Sequence, residues 1–244
     1  MEELVRKRAL VTGGSGEIGS AICRKLALQN NHVIIHCNRN IEKANVVATE
    51  INNSGGSAEV TQFDVSSEEQ SSRAIERLLE NGPIQILVNN AGYHDDAPLA
   101  GMTGDQWKNI IDTILNGFYH VTHPILLPMM MTRWGRVISL SSVAGITGNR
   151  GQSNYAAAKS GLHGASKSLA LEVASRRVTV NVVAPGIIES PMTDKIFSKK
   201  QIDQLVPMKR AGKAEEVAEL VAFLASEKAS YISGQIISIN GAMI

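Results

Sequence analysis

Seven short apolar runs alternate with stretches of helical length, and that alternation restricts the fold more than any other feature of the chain. The runs are "RALVT", "HVIIHC", "AEVTQF", "IQILVN", "GRVISLS", "VTVNVVAP" and "QIISIN". Between them lie residues 18–29, 41–53, 68–80, 105–131, 154–175 and 214–226, several with apolar side chains three or four apart. Strand–helix alternation builds a parallel sheet with helices on both faces. Runs such as "ILVNN" and "VNVVAP" are apolar enough to be covered on both sides. The expected fold class is α/β, one doubly wound parallel sheet occupying residues 1–244 as a single domain. Its ligands should sit beyond the carboxyl ends of the strands. Residues 188–208 break the alternation around two prolines and read as a lid or a surface excursion.

"LVTGGSGEIG" follows the first strand and opens a helix, the context in which a glycine loop cradles a pyrophosphate against helix N-terminal amides. Gly13, Ser15, Gly16, Ile18 and Gly19 are the candidate contacts. Glu17, in the first helical turn, is favoured by the macrodipole but would repel a pyrophosphate, so its side chain is expected to turn away while Gly16 gives the backbone its freedom. About twenty residues later, NAD-binding chains usually place an acid for the ribose hydroxyls. This chain has "IIHCNRN", where Asn38 and Arg39 offer donors for a 2′-phosphate, so the cofactor expected is NADPH.

In the second half, "SSVAGITGNRGQSNYAAAKSG" puts Tyr155 and Lys159 four apart, on one helical face. A phenol is a weak acid–base group at neutral pH, and a neighbouring ammonium is expected to draw its pKa down. Tyr-x-x-x-Lys alone also occurs on ordinary amphipathic helices. Composition is permissive rather than directive. Lys and Arg number 24 against 23 Asp and Glu, leaving no global pull toward nucleic acid or a membrane. Cys23 and Cys37 lack metal-ligand spacing and read as reduced thiols. The N-terminal stretch shows no signal-peptide core and no run long enough to span a bilayer, so the expected location is cytoplasmic.

Several motifs in order and spacing then carry a resemblance to the short-chain dehydrogenase/reductase family, with its Rossmann-like fold, and within it to the 3-oxoacyl-[acyl-carrier-protein] reductases. They are "VTGGSGEIG", Asp64-Val65, "NNAG" at 89–92, "LNGFYHVT", the "SS…Y…K" block, "VNVVAPG" and "YISGQIISINGA". The departures are Gly16, where such reductases often carry a basic residue, Glu17 in place of a glycine, and Ala242 in "NGAM". The resemblance implies a catalytic tetrad of Asn116, Ser142, Tyr155 and Lys159, with Asn116 positioning a water that returns the proton. It also implies cofactor contacts at Asp64, Val65, Asn89, Ala91, Gly92, Pro185, Gly186 and Ile188. Arg133 and Arg176 match basic positions presented to an acyl carrier protein, and relatives usually form homotetramers through the long helices and the apolar C-terminus. "GYHDDAP" and "GSGEIG" further resemble reductases of aryl polyene assembly.

The reaction so implied is NADPH-dependent reduction of a carrier-bound 3-oxoacyl thioester. The rivals are oxidation of a sugar, polyol or steroid alcohol on the same fold, and a protein that binds NADP without turnover. His94, Asp95 and Asp96 cluster, but three adjacent residues do not readily converge on one ion, so no metal site is expected and the stretch reads as a polar loop at the substrate mouth.

Overall fold

The computed structural model describes residues 6–191, 193 and 197–244. Among them, seven strands form one parallel sheet in the order β3-β2-β1-β4-β5-β6-β7. They are β1 Arg8–Val11, β2 His32–Cys37, β3 Ser57–Gln62, β4 Ile86–Asn89, β5 Gly135–Leu140, β6 Val178–Pro185 and β7 Ile236–Ile239. The helices are α1 Glu17–Leu28, α2 Ile41–Asn53, α3 Glu68–Glu80, α4 Gly104–Ile111, α5 Gly117–Met131, α6 Ala144–Thr147, α7 Ser153–Val173, α8 Lys199–Leu205 and α9 Ala214–Ala225.

Period-two side-chain alternation sorts the strand residues between two cores. Ala9, Val11, Val33 and Ile35 meet Ile22 and Leu26 of α1, Val47 of α2 and Val221 of α9 on one face. Leu10, Ile34 and Val137 meet Ile75 of α3, Val121 and Ile125 of α5, and Leu169 of α7 on the other. Helix starts follow the sequence. Asn40 caps α2 through Lys43 N–H at 3.2 Å, and Thr103 with Gln106 closes a capping box on α4.

The stretch 105–131, expected as one helix, is α4 and α5 joined by a π turn over Asp112–Asn116. One extra residue in the helical ladder shifts the facing of everything around it. In the proposed lid, α8 starts at a Ser198–Gln201 capping box, and Ile188 forms an isolated bridge to Gly212. Residues 192 and 194–196 of that stretch lie outside the described residues. Strand order reverses direction between β1 and β4, so a crevice opens at their carboxyl ends. No helix of the described residues is long and apolar enough to cross a membrane.

Candidate active site

The glycine loop bridges β1 and α1 at that crevice. Gly13 adopts φ +63°, a left-handed conformation that a side chain strongly disfavours. A Cβ on Gly19 would stand 2.2 Å from the Gly13 carbonyl oxygen, so the first helical turn packs directly on the loop. Gly16, by contrast, is an extended N-cap residue at φ −80°, and a Cβ there meets only Gly13 O at 3.4 Å. Backbone freedom is thus used at Gly13 rather than at Gly16, which corrects the expectation. Ser15 and Ile18 flank the same turn, and Glu17 is solvent-exposed on it.

Thr12 and Asn90 lock the loop to β4. Thr12 Oγ1 accepts N–H bonds from Asn90 and Ala91 at 2.9 and 3.0 Å. Asn90 Nδ2 donates to Thr12 O and Gly13 O at 2.9 and 3.1 Å. Asn90 was not among the expected contacts, whereas Asn89, which was, turns its amide away to Thr122 Oγ1 of α5 at 3.1 Å. The strand's period of two separates the neighbours: one faces the core helix, the next the loop.

Asn38 and Arg39 are exposed just past β2. Both act on Asp64: burial works to raise its pKa, but hydrogen bonds from Ser66 and Asn38 and the Arg39 charge outweigh that and hold the carboxyl below its usual range. Val65 is buried next to it, and its carbonyl oxygen lies 2.9 Å from His120 Nδ1. Across the crevice, Pro185 ends β6, Gly186 N–H donates to Ile239 O at 3.0 Å, and Ile188 follows on the Gly212 bridge. A Cβ on Gly186 would come within 2.8 Å of Asn240 Cβ, so this turn too is closely packed. Ala242 takes φ +66°, a conformation costing about 1–2 kcal/mol for a non-glycine residue.

Ser142, Tyr155 and Lys159 converge. Ser142 follows β5, and Tyr155 and Lys159 lie on the first two turns of α7. Lys159 Nζ sits 5.5 Å from the centre of the Tyr155 ring and donates to Leu140 O at 2.6 Å. Burial lowers the Lys159 pKa to about 8. Burial raises the Tyr155 pKa, with the Asp96 charge adding to it and the Ser142 hydrogen bond opposing it. The phenol is therefore held protonated, the reverse of the lowered pKa expected from an adjacent ammonium alone. The physical reason is that burial disfavours the charged phenolate and outweighs the Ser142 hydrogen bond. Ser141, the neighbour of Ser142, is occupied elsewhere: it donates to Lys159 O at 3.1 Å and lies 2.7 Å from His163 Nε2.

Asn116 does not join them. It ends the π turn exposed, with Nδ2 donating to Asp112 Oδ1 at 2.7 Å. The residue that the π turn presents to the crevice is Ile114, 3% exposed, which lines a cleft of about 10 Å³ with Thr12, Ala91 and Lys159. A Cβ placed on Gly92 would touch Ile114 at 3.3 Å and Lys159 Nζ at 3.6 Å. Residues two apart on a helix point to different sides, so the two cannot share the site.

The "YHDDAP" stretch is clasped between α4 and α7. Gln106 Nε2 donates to Asp95 Oδ1 at 2.8 Å, and Gln152 Nε2 donates to Asp96 Oδ2 at 2.9 Å. His94 Nδ1 lies 3.0 Å from Asp96 Oδ1, and its ring stands edge-on to Tyr155 at 6.2 Å. Among the described residues no three His, Cys, Asp or Glu side chains gather as metal ligands. Arg133 and Arg176 are exposed in the turns before the paired strands β5 and β6. They stand at the amino ends of strands whose carboxyl ends carry the site, about 20 Å away along β5.

A Rossmann-like sheet with this loop and a Ser–Tyr–Lys cluster defines a nicotinamide-dependent oxidoreductase. The chain belongs to the short-chain dehydrogenase family, whose model, described as "short chain dehydrogenase", matches residues 7–201. It is 41% identical over 236 residues to a 3-oxoacyl-[acyl-carrier-protein] reductase FabG of Aggregatibacter actinomycetemcomitans, covering 96% of this chain and 98% of that one. It is 44% identical over 246 residues to the same-named protein of Aquifex aeolicus, covering 99% and 98%. It is also 42% identical over 248 residues to Nodulation protein G of Rhizobium sp. strain N33, covering 100% and 99%.

Proposed function

We propose that the protein reduces the ketone of a 3-oxoacyl thioester to the 3-hydroxyacyl product with NADPH, the acyl chain being borne on an acyl carrier protein. The observation that carries this reading is the convergence of Ser142, Tyr155 and Lys159, with Lys159 Nζ 5.5 Å from the centre of the Tyr155 ring and burial of the phenol raising its pKa. Tyr155 as proton donor meets the proton demand of ketone reduction. The reductase names of the relatives support the substrate class.

The residues present fit a dinucleotide. Gly13 and Gly19 leave no room for side chains where backbone amides must approach a pyrophosphate, and Asn38 with Arg39 is exposed for a 2′-phosphate. Asp64, Val65, Ala91 and Gly92 would line the cofactor's length, and Ile188 its far end. When bound, NADPH supplies the hydride. Ser142 donates a hydrogen bond to the ketone oxygen, and Tyr155 gives that oxygen its proton as the carbonyl carbon is reduced. Lys159, anchored by Leu140 O, places its charge near the phenolate left behind. Asn116, turned to Asp112, takes no part.

A carrier docked on Arg133 and Arg176 would feed the site of a second subunit, because those arginines lie at the opposite end of the sheet. Exposed apolar residues support a homotetramer: Tyr119 and Leu127 of α5, Leu171 of α7, and Ile244 at the C-terminus. The resemblance of "GYHDDAP" and "GSGEIG" to reductases of aryl polyene assembly supports that pathway as the setting of the reaction.

The test is loss of NADPH absorbance with acetoacetyl thioester, on pantetheine and on a purified carrier, repeated with NADH. Turnover with NADPH should exceed that with NADH, and Arg39→Ala should erase about tenfold or more of that preference, the size of a lost charge-assisted hydrogen bond. Equal use of both cofactors by the parent protein would refute the NADPH assignment.

A further inference from the structure

His36, the last residue but one of β2, is buried, at 1% exposure, two residues before Asn38. Its two ring nitrogens are held by backbone from two different segments. Nδ1 accepts the Gly13 N–H at 3.0 Å, and Nε2 faces the Phe63 carbonyl oxygen at 2.9 Å. A carbonyl only accepts, so Nε2 carries the proton; Nδ1 must be bare to receive Gly13. Both partners therefore select the same neutral tautomer. The His36 carbonyl in turn accepts Gly14 N–H at 2.8 Å, and the ring packs on Phe63 at 4.2 Å. One side chain thus ties together the glycine loop, the strand leading to Arg39, and the turn leading to Asp64 and Val65.

We propose that His36 is a positioning residue for the dinucleotide site, a buried imidazole that fixes the glycine loop against the adenine-side turn and so sets cofactor affinity without touching the cofactor. The inference rests on the reading of these three segments as the NADPH site. Its force comes from Gly13, whose carbonyl receives both Asn90 Nδ2 and Gly16 N–H and packs under Gly19. Movement of that one residue would carry the whole loop with it. Burial lowers the His36 pKa to about 4, consistent with an imidazole that stays neutral in use.

Two variants separate the contacts. His36→Leu removes both nitrogens at similar volume, whereas His36→Asn keeps an oxygen where Nδ1 stood. Calorimetric NADPH binding should weaken about tenfold in His36→Leu and recover most of that in His36→Asn, as expected for a buried amide left unpaired or re-paired. The KM for NADPH should rise with kcat within about twofold, a split that loss of stability alone would not produce. Nitrogen-resolved NMR of the parent protein should show His36 as the neutral Nε2–H tautomer throughout pH 5–8, a readout independent of whether a variant folds. Folded His36→Leu binding NADPH as tightly as the parent, or an imidazole titrating near 6.5, would overturn the proposal. A parent protein that binds no NADPH would instead refute the underlying site reading, and the proposal with it.

Discussion

Tyr155→Phe should abolish the reductase reaction while leaving the protein folded and able to bind cofactor, with kcat falling about 1000-fold. The substitution deletes one oxygen from a ring that stays packed beside Lys159 and His94. The lost group is the proton donor that the proposed mechanism assigns to the ketone oxygen. The pH profile carries the same logic with a definite sign. The Tyr155 pKa is raised, so its proton remains available through neutral pH. The Lys159 pKa is lowered to about 8, so the ammonium is present below that pH and lost above it. The kcat/KM for reduction should therefore decline from about pH 8 upward, governed by Lys159 rather than by the phenol. A fall of less than about tenfold in Tyr155→Phe would assign the proton to another group.

Gly19→Ala should cost the cofactor rather than the chemistry. The new methyl would lie 2.2 Å from Gly13 O and 2.9 Å from Asn90 Nδ2. Gly13 O cannot retreat freely, because Asn90 and Gly16 both donate to it. Overpacking of this kind costs about 1–3 kcal/mol, and because the displaced atoms form the phosphate cradle, NADPH affinity should fall by about 100-fold. Gly16→Ala is the control, since its methyl would meet only Gly13 O at an ordinary 3.4 Å and its φ of −80° suits any residue. Calorimetric titration of both variants checks the contrast. Equal losses would mean that the loop needs flexibility in general rather than close approach at Gly19.

Much of this was legible in the sequence because local rules and the fold agreed. The apolar runs mark all seven strands to within two residues, and α2 and α3 fall on 41–53 and 68–80. Helical spacing put Tyr155 and Lys159 on one face, and the motifs around them marked the pair. What escaped was set by three-dimensional context. The π turn at Asp112–Asn116 rotates Ile114 into the crevice and Asn116 out of it, and no short-range pattern marks a single inserted residue. The direction of the Tyr155 shift depends on how much water the fold removes, which spacing does not reveal. His36 and Asn90 act on backbone atoms of a distant loop, so their side-chain type alone gave no sign of it. The available signal for His36 was a polar ring inside the otherwise apolar run from Val33 to Cys37.

The most direct test follows a label through the reaction. The parent protein is supplied with NADPH deuterated at the transferable position of the nicotinamide and with a 3-oxoacyl carrier substrate. One deuterium should appear at C3 of the 3-hydroxyacyl product for each NADPH consumed, and none in matched incubations with Tyr155→Phe. Product without the label, or labelled product formed at the parent rate by Tyr155→Phe, would contradict a ketone reduction driven by this phenol.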